Sequence, residues 1–575
     1  MAEPRWSPDG RRLAWVRGAG GTAVLVVDGR PVPDVVAAGT RGGTFAWCAA
    51  DRLVVVGDGG LRAVRPDAPG PAPLVAAAVG SPAAPAVSTT GLVAFVDETD
   101  DACVVKVAPV DGSRAPWVVS QADFAWDPAW SPDGALLAWH EWDEPAMPWD
   151  GSRIVVAAAD GTDRVVVAGG PDESVGQPRF APAGPARLAF VHDRDGWANV
   201  TVAGPDGRAR AVVAAEAHEH AGPSWGPGQR SFAWSPDGAR LAWCRNEDGF
   251  GRLVAAAVAG WPVGEWSKGW HHGLDWGPGG LVCVRSGART PPTVVVLSGD
   301  PSDRRVVDVA PGADALPVDD FVEPRPVTWP AHDGTAVPGL LFASPGVEHP
   351  PLLVQLHGGP TDQARVEWAP RVQYWVARGW AVLAPNPRGS TGSGRAYTQA
   401  LRGGWGDLDV DDVIDGIRAA VAQGWADPNR VALVGGSAGG FLALLVAARA
   451  PELVRAVVAS YPVTDLVVLA ADTHRFERRY SDSLVGPLPA AADTYRDRSP
   501  VTHAAGLRVP LLVLQGDADP VVAHPCAVAF VDAVGAAGGD ADLHVYPGEG
   551  HGWKRPDTVA DALRRTDDFL TRRVL

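Results

Sequence analysis

Lysine is nearly missing from this chain: Lys106, Lys268 and Lys554 are the whole complement, within 50 Lys and Arg together. Acidic residues number 67, and the formal net charge is -17. No basic stripe offsets that charge, which argues against a nucleic-acid partner. The field mildly favours cationic or neutral substrates at a distance, and salt screens it. Cysteine is sparse. Cys48, Cys103, Cys244, Cys283 and Cys526 show no C-x-x-C spacing, so reduced thiols in a cytoplasmic protein fit better than a disulfide framework. The N-terminus lacks a basic-then-apolar signal segment. No apolar run approaches the roughly 20 residues of a membrane span. Metal-ligand spacing is lacking too: His218-Glu219-His220 and His271-His272 have no partners at the right separations, and no cofactor is expected.

What is abundant is Ala, Val, Gly, Asp and Arg, the usage of a GC-rich bacterial genome. Hydrophobic residues make up 46% and charged residues 20%, as in a soluble globular protein. At 575 residues the chain is too long for one ordinary domain, and two are expected. Nothing decides between one copy and a homo-oligomer.

The N-terminal half is a repeat. Trp6-Ser7-Pro8-Asp9-Gly10 recurs at Trp130–Gly134 and Trp234–Gly238, each time followed by Leu-Ala-Trp (Leu13, Leu137, Leu241). Degenerate copies begin near Trp47, Val87, Phe180 and Trp276. Starts lie about 40 to 54 residues apart, the range of one four-stranded propeller blade. In each copy Pro fixes the second turn residue, Asp suits the next, and Gly takes the left-handed position before the returning strand. The tryptophans read as packing between blades. Seven starts predict an all-β seven-bladed propeller over residues 1–315.

From about Asp319 the pattern changes to alternating strands and helices; Val410, Val413, Ile414, Ile417 and Val421 fall at helical spacing. Within this half, Val431–Val434 is a short apolar run suited to a buried parallel strand, and the apolar stretch after Phe441 suits a buried helix. Between them, Gly435-Gly436-Ser437-Ala438-Gly439 fits the G-x-S-x-G nucleophile elbow. There a strained serine caps a helix, and the strand and helix pass too closely for side chains at the glycines.

A serine needs a base and an orienting acid, and in this fold they follow it as acid and then histidine. The strand run Pro510–Gln515 opens into Gly516-Asp517-Ala518-Asp519-Pro520. The alternating run Ala541–Tyr546 ends in Pro547-Gly548-Glu549-Gly550-His551. Asp519 and His551 thus lie on loops beyond strand ends, where open α/β sheets place their chemistry. Asp517 competes with Asp519 and could serve only to shape the turn. His357, His474, His503 and His524 lack such a late Gly-rich loop, and His544 lies within a strand. An oxyanion hole needs two aligned backbone N–H groups. One is expected from Ala438, the other from the loop His357-Gly358-Gly359-Pro360 after the strand Pro351–Leu356.

These motifs resemble the prolyl oligopeptidase family of serine peptidases, in its acylaminoacyl-peptidase and dipeptidyl-aminopeptidase-like branch. The resemblance rests on His357–Pro360, Asn386–Gly394, Gly404–Asp412, Gly435–Gly440 and the late Gly-His, in that order. The segments Asp472–Tyr480, Leu484–Pro487 and Arg498–Pro500 are similar to a bacterial subgroup with poorly defined substrates. The resemblance implies an α/β-hydrolase domain over 316–575, with Ser437 as nucleophile, Asp519 as acid and His551 as base. Backbone N–H groups of Gly359 and Ala438 would then form the oxyanion hole. It also implies a propeller that restricts substrates to small peptides. Many members carry a helix before the first blade; here the first repeat begins at Trp6, and that helix is expected to be missing or short.

Two departures stand out. Members often read N-Y-R-G where this chain has Asn386-Pro387-Arg388-Gly389. Members also often place a carbonyl-binding arginine two residues after the acid, where this chain has Val521. One propeller segment, His140–Asp150, also resembles the bacterial subgroup and crowds Glu141, Asp143, Glu144 and Asp150 together. It reads either as a solvated acidic loop or as an anchor for a substrate's free amine, with Glu141 and Glu144 first. The leading expectation is a peptidase acting on small peptides or peptide-like amides as an aminopeptidase, dipeptidyl-peptidase or acylaminoacyl-peptidase. An esterase, amidase or acyl-transfer enzyme on a small metabolite is the second reading, to which Val521 gives weight. An inactive propeller scaffold is the third.

Overall fold

The computed structural model describes residues 1–19, 22–36, 43–68, 72–258, 260–298 and 303–575. The chain divides into two compact units, Met1–Pro317 and Val318–Leu575.

In the first unit the Trp-Ser-Pro-Asp-Gly segments build one turn three times. Ser7 Oγ donates to Asp9 Oδ1 at 2.6 Å, Ser131 to Asp133 at 2.6 Å and Ser235 to Asp237 at 2.5 Å. Gly10, Gly134 and Gly238 take φ of 69°, 70° and 65°. Across each turn the serine hydroxyl accepts the N–H of Arg12, Leu136 or Arg240, so the side chain closes the hairpin as firmly as the backbone does. The strands then pair antiparallel with Trp6 opposite Leu13, Trp130 opposite Leu137 and Trp234 opposite Leu241. The tryptophans reach sideways. Trp47, Trp130 and Trp234 donate their indole N–H to the carbonyls of Arg5, Ala86 and Arg179, each on the first strand of a neighbouring set. Trp6 donates to Gly280, and Trp15 and Arg17 both bond Asp308. The first and last sets are thereby joined, and the unit is a β-propeller.

Five four-stranded sheets stand alone among the described residues. The strands between Ser81 and Gly170 form a single eight-stranded sheet. The count of separate sheets therefore does not match the seven blades that the repeat starts predict. The physical reason is one parallel pairing, Cys103 with Phe124, that fuses the third and fourth sets.

The acidic segment of this unit is not a free loop. Glu141 lies in the strand Leu136–Trp142 and is 0% exposed. Its carboxylate accepts Trp139 Nε1 at 2.6 Å, Arg153 Nε at 2.8 Å and Arg164 Nη2 at 3.0 Å. Arg153 also pairs with Asp143 at 2.8 Å. Glu144 is half-buried and lines no described cavity; its N–H donates to Asp123.

The second unit is one mixed sheet of eight strands: β1 (Arg325–Pro330), β2 (Ala336–Phe342), β3 (Leu352–Leu356), β4 (Ala381–Pro385), β5 (Val431–Gly436), β6 (Ala456–Ser460), β7 (Leu511–Gly516) and β8 (Ala541–Tyr546). Their order is β1-β2-β4-β3-β5-β6-β7-β8, antiparallel at β1 and β2 and parallel thereafter. The apolar runs β3 to β7 are buried because helices cover the parallel strands. Helix α1 (Leu408–Ala422) carries the expected apolar stripe, and α2 (Ala438–Arg449) is almost wholly buried. This is the α/β-hydrolase arrangement. It brings the loops after β3, β5, β7 and β8 to the carboxyl edge of the sheet.

Glu141→Gln should destabilise the protein by about 3 kcal/mol, since it strips one partner from a buried ionic cluster. Thermal unfolding measures the loss. Per folded molecule, hydrolysis of free-amine and N-blocked substrates should stay equal to wild type. A selective loss on free-amine substrates would instead restore Glu141 as an anchor.

Candidate active site

Ser437 links β5 to α2 with φ 56° and ψ -126°. Its N–H donates to the Ser460 carbonyl at 3.0 Å, and its own carbonyl accepts Phe441 N–H at 3.0 Å. The surrounding glycines are demanded by contact. A Cβ at Gly435 would lie 2.3 Å from Gly439 O, and one at Gly439 would lie 2.4 Å from Leu356 O. A Cβ at Gly358 would sit 3.2 Å from Gly436 O and 3.6 Å from Ser437 Cβ. The His357–Pro360 loop is thus packed directly against the elbow.

His357 itself is held away from proton transfer. Its Nε2 bonds Ser390 Oγ at 2.9 Å, and burial pushes its imidazole pKa down. Ser390 belongs to the Asn386–Gly394 stretch, which braces the loop from behind. Asn386 Oδ1 accepts Ala364 N–H at 2.7 Å. Arg388 is clamped by Asp412 of α1, with Nη2 at 2.7 Å from Oδ1, and by Asp333. Pro387 therefore leaves this brace intact: Arg388 still donates both its backbone N–H and its guanidinium to Asp412.

After β7, the side chain of Asp519 is buried and fully engaged. Oδ1 accepts Val521 and Val522 N–H at 2.8 and 2.9 Å, while Oδ2 meets His551 Nδ1 at 2.8 Å. Asp517 points elsewhere and accepts Gly548 N–H at 2.6 Å, so it shapes the histidine loop without touching the ring. Glu549 braces that loop from within. It accepts the N–H groups of Lys554 and Arg555 and the Arg555 guanidinium. These bonds outweigh its burial and hold its carboxyl down to about 2. Tyr461 (φ 38°) lies against His551 with ring centroids 4.8 Å apart, and Trp553 packs on the other side of Tyr461.

Ser437, Ala438, Gly359 and Val521 line one narrow cleft that opens to solvent. Trp405, Val463 and Leu469 make its walls apolar, and Glu477 and Tyr480 add polar groups. Tyr480 OH bonds Thr361 Oγ1 at 2.6 Å and accepts Thr361 N–H, tying the Asp472–Tyr480 segment to the end of the Gly-rich loop. In the sequence that segment shows only a resemblance to the bacterial subgroup. Its Glu and Tyr, flanking a short run of charged residues, were the available signal. Tyr461 carried none beyond following β6. Glu141 and Glu144 lie in the other unit and are not among the cleft residues.

A profile of the prolyl oligopeptidase family matches residues 367–574. The whole fold also superposes on the crystal structure of a puromycin hydrolase with a TM-score of 0.89 and 30% identity, covering 99% of this chain and 94% of that one. The chain belongs to the prolyl oligopeptidase family. Other relatives align over part of the chain. Dipeptidyl aminopeptidase BIII of Pseudoxanthomonas mexicana is 32% identical over 225 residues, 38% of this chain and 33% of that protein. The acylamino-acid-releasing enzyme of Arabidopsis thaliana is 32% identical over 215 residues, 36% of this chain and 28% of that protein. The chain thus matches about a third of the length of these two relatives. In this member of the family Val521 takes an apolar place in the cleft wall, and its N–H serves Asp519.

Behind the cleft lies a second cavity, sharing Trp405, Pro360 and Ala438 with it and lined by Asp409. Asp409 accepts Gly406 N–H at 2.8 Å. Burial, with help from the nearby Asp412 charge, pushes its carboxyl up to about 7.

Two predictions follow from these geometries. Asp519→Asn should cost about 10⁴-fold in kcat, the price of a wrong histidine tautomer, whereas Asp517→Asn should be mild; steady-state kinetics of the pair ranks them. For Asp409, the unfolded chain releases the proton near pH 3.9 and the folded chain near 7. Folding is therefore penalised increasingly as pH rises through that window. Asp409→Asn keeps an acceptor for Gly406 and should lose less melting temperature than wild type between about pH 4 and 7. Parallel melting profiles would dismiss the raised carboxyl.

Proposed function

We infer that this protein is a serine hydrolase that cleaves amide bonds of small peptides or peptide-like molecules bearing a free amine. One observation carries the reading. Ser437 stands on a strained elbow in a cleft with the Gly359 and Ala438 backbone, and the His551–Asp519 pair is already bonded at 2.8 Å.

Ser437 Oγ attacks the substrate carbonyl carbon while its proton passes to His551 Nε2. Asp519 holds the Nδ1–H tautomer and stabilises the imidazolium. The N–H groups of Gly359 and Ala438 receive the developing oxyanion, aided by the N-terminus of α2. The C–N bond breaks, the leaving amine takes the proton from His551, and an acyl-enzyme remains. Water, deprotonated by His551, then releases the acid and restores Ser437. Pro360, Trp405, Val463, Leu469 and Val521 would hold an apolar side chain next to the scissile bond.

Glu141 is already bonded to Trp139, Arg153 and Arg164, so a carboxylate of the cleft itself is proposed as amine anchor ahead of Glu141 and Glu144. Glu477 is the carboxylate of the cleft among the described residues, with an oxygen 3.5 Å from His474 Nε2. The names of the relatives, a puromycin hydrolase and a dipeptidyl aminopeptidase, support a free-amine amide as substrate. Val521 favours the second reading, an esterase or amidase on a small metabolite, because the cleft wall offers no cation at that position. The strands from Ser81 to Gly170 read as two fused blades, which gives seven in all. Five cysteines that form no disulfide with one another support a cytoplasmic location, and the abundance of Ala, Val, Gly, Asp and Arg supports a bacterial source.

A chromogenic panel of aminoacyl, dipeptidyl, N-acyl and ester substrates tests the assignment, with Ser437→Ala as the control that should lose roughly 10⁴-fold or more in kcat. Glu477→Gln should lower kcat/KM for free-amine substrates by about thirtyfold or more, the loss of one partner of a desolvated charge pair. N-acetylated substrates should be nearly unaffected. Equal effects on both types would remove Glu477 as the anchor, and a preference for esters over all amides would favour the metabolite reading.

A further inference from the structure

The first unit holds a cavity of its own. It is open to solvent on one side, has room for about 320 Å³ and is bounded by the first strands of the sheets, where they converge on the central channel. Three guanidiniums face it: Arg5, Arg179 and Arg230. Arg230 is paired with Asp275 at 3.2 Å. Arg5 and Arg179 are not ion-paired with any described carboxylate. Arg5 is only 9% exposed, and its Nη1 donates to the carbonyls of Pro4 and Gly273. Arg179 donates to the carbonyls of Pro178 and Gln229, and its buried Nε has no partner.

Each guanidinium offers five N–H donors, so these bonds use a minority of them. The carboxylates around the cavity are already committed. Glu3 accepts Thr44 N–H and hydroxyl, Asp127 accepts Gly228 N–H at 2.5 Å, and Asp275 accepts Trp6 N–H and Arg230. Asp127 is also pushed by burial toward its neutral form. Burial and the neighbouring arginine charges push the Arg5 guanidinium down to about 9 and that of Arg179 to about 10. Glu3, Asp127 and Asp275 offset part of this charge from a distance, but among the described residues none of them takes a hydrogen bond from Arg5 or Arg179, and buried guanidiniums with unused donors are costly. An oxyanion in the cavity would take those donors.

We propose that the channel mouth of the propeller is a binding site for a small oxyanion, a carboxylate or phosphate, held by Arg5, Arg179 and Arg230. Planar guanidiniums suit such groups because two N–H donors meet two oxygens at once. The space admits a ligand of several carboxylates or a phosphorylated metabolite. The site is built entirely from the first unit and owes nothing to Ser437.

The test uses the full chain and two probes, citrate and inorganic phosphate, against chloride at matched ionic strength. Thermal unfolding should show a saturable stabilisation by at least one oxyanion beyond that of chloride, and titration calorimetry should give the same affinity. Arg179→Met and, as a less buried second variant, Arg230→Gln should each weaken binding about tenfold. Ser437→Ala should bind like wild type. A response to citrate alone marks a carboxylate site, and one to phosphate alone marks a phosphate site; both support the proposal. Chloride performing as well as either oxyanion, no saturable response, or affinity unchanged in both arginine variants would overturn it.

Discussion

The catalytic half depends on how closely three backbone segments approach one another. The end of β5, the first turn of α2 and the end of β3 meet at distances that no side chain survives: a Cβ on Gly439 would stand 2.4 Å from Leu356 O and 2.6 Å from His357 O. Only with glycine there can the loop after β3 lie beside Ser437. Only with Ser437 forced to φ 56° does its hydroxyl leave the sheet. Such a conformation costs about 1–3 kcal/mol. It is held by the Ser460 carbonyl on one side and by the first hydrogen bond of α2 on the other.

Around that contact the molecule spends its buried charges on fixing loops. Arg388 and Asp412 fasten the Asn386–Gly394 stretch to α1, and through Ser390 the same stretch holds His357. Asp517 and Glu549 shape the histidine loop, and Asp519 is left to the ring. Each motif that looks separate in the sequence is one half of a clasp. Asn386–Gly389 and Gly404–Asp412 are two sides of a single ion pair.

Local chemistry made the elbow and the propeller turns readable. Glycines around Ser437, and Ser, Pro, Asp and Gly after each Trp, act on their immediate neighbours, so the string carries the geometry. Asp519 and Asp517 are two residues apart on the same loop, and only the direction of each carboxylate separates them. The partners of Glu141 are hidden in the sequence for a related reason. Its own segment is crowded with acids, while the arginines that bury it stand 12 and 23 residues further along and arrive through strand pairing. Glu477 and Tyr480 were visible as letters, but a short helical turn decides that they face the cleft. The fused propeller sheet hangs on one bridge between Cys103 and Phe124, which no periodicity could announce.

The loop that carries His551 ends at Lys554, whose N–H is one of those that Glu549 holds. In a chain with three lysines this has a practical side. Lys106 is drawn into an ion pair with the buried Asp97, whereas Lys268 and Lys554 are exposed. Reagents that acylate amines, whether for surface immobilisation, cross-linking or dye attachment, thus find few lysine side chains, and one of them stands three residues from the imidazole. Conjugation chemistry that is harmless to a lysine-rich enzyme would here attach its cargo to the loop that carries His551. Coupling at an introduced site remote from that loop is the gentler route to a labelled, working protein.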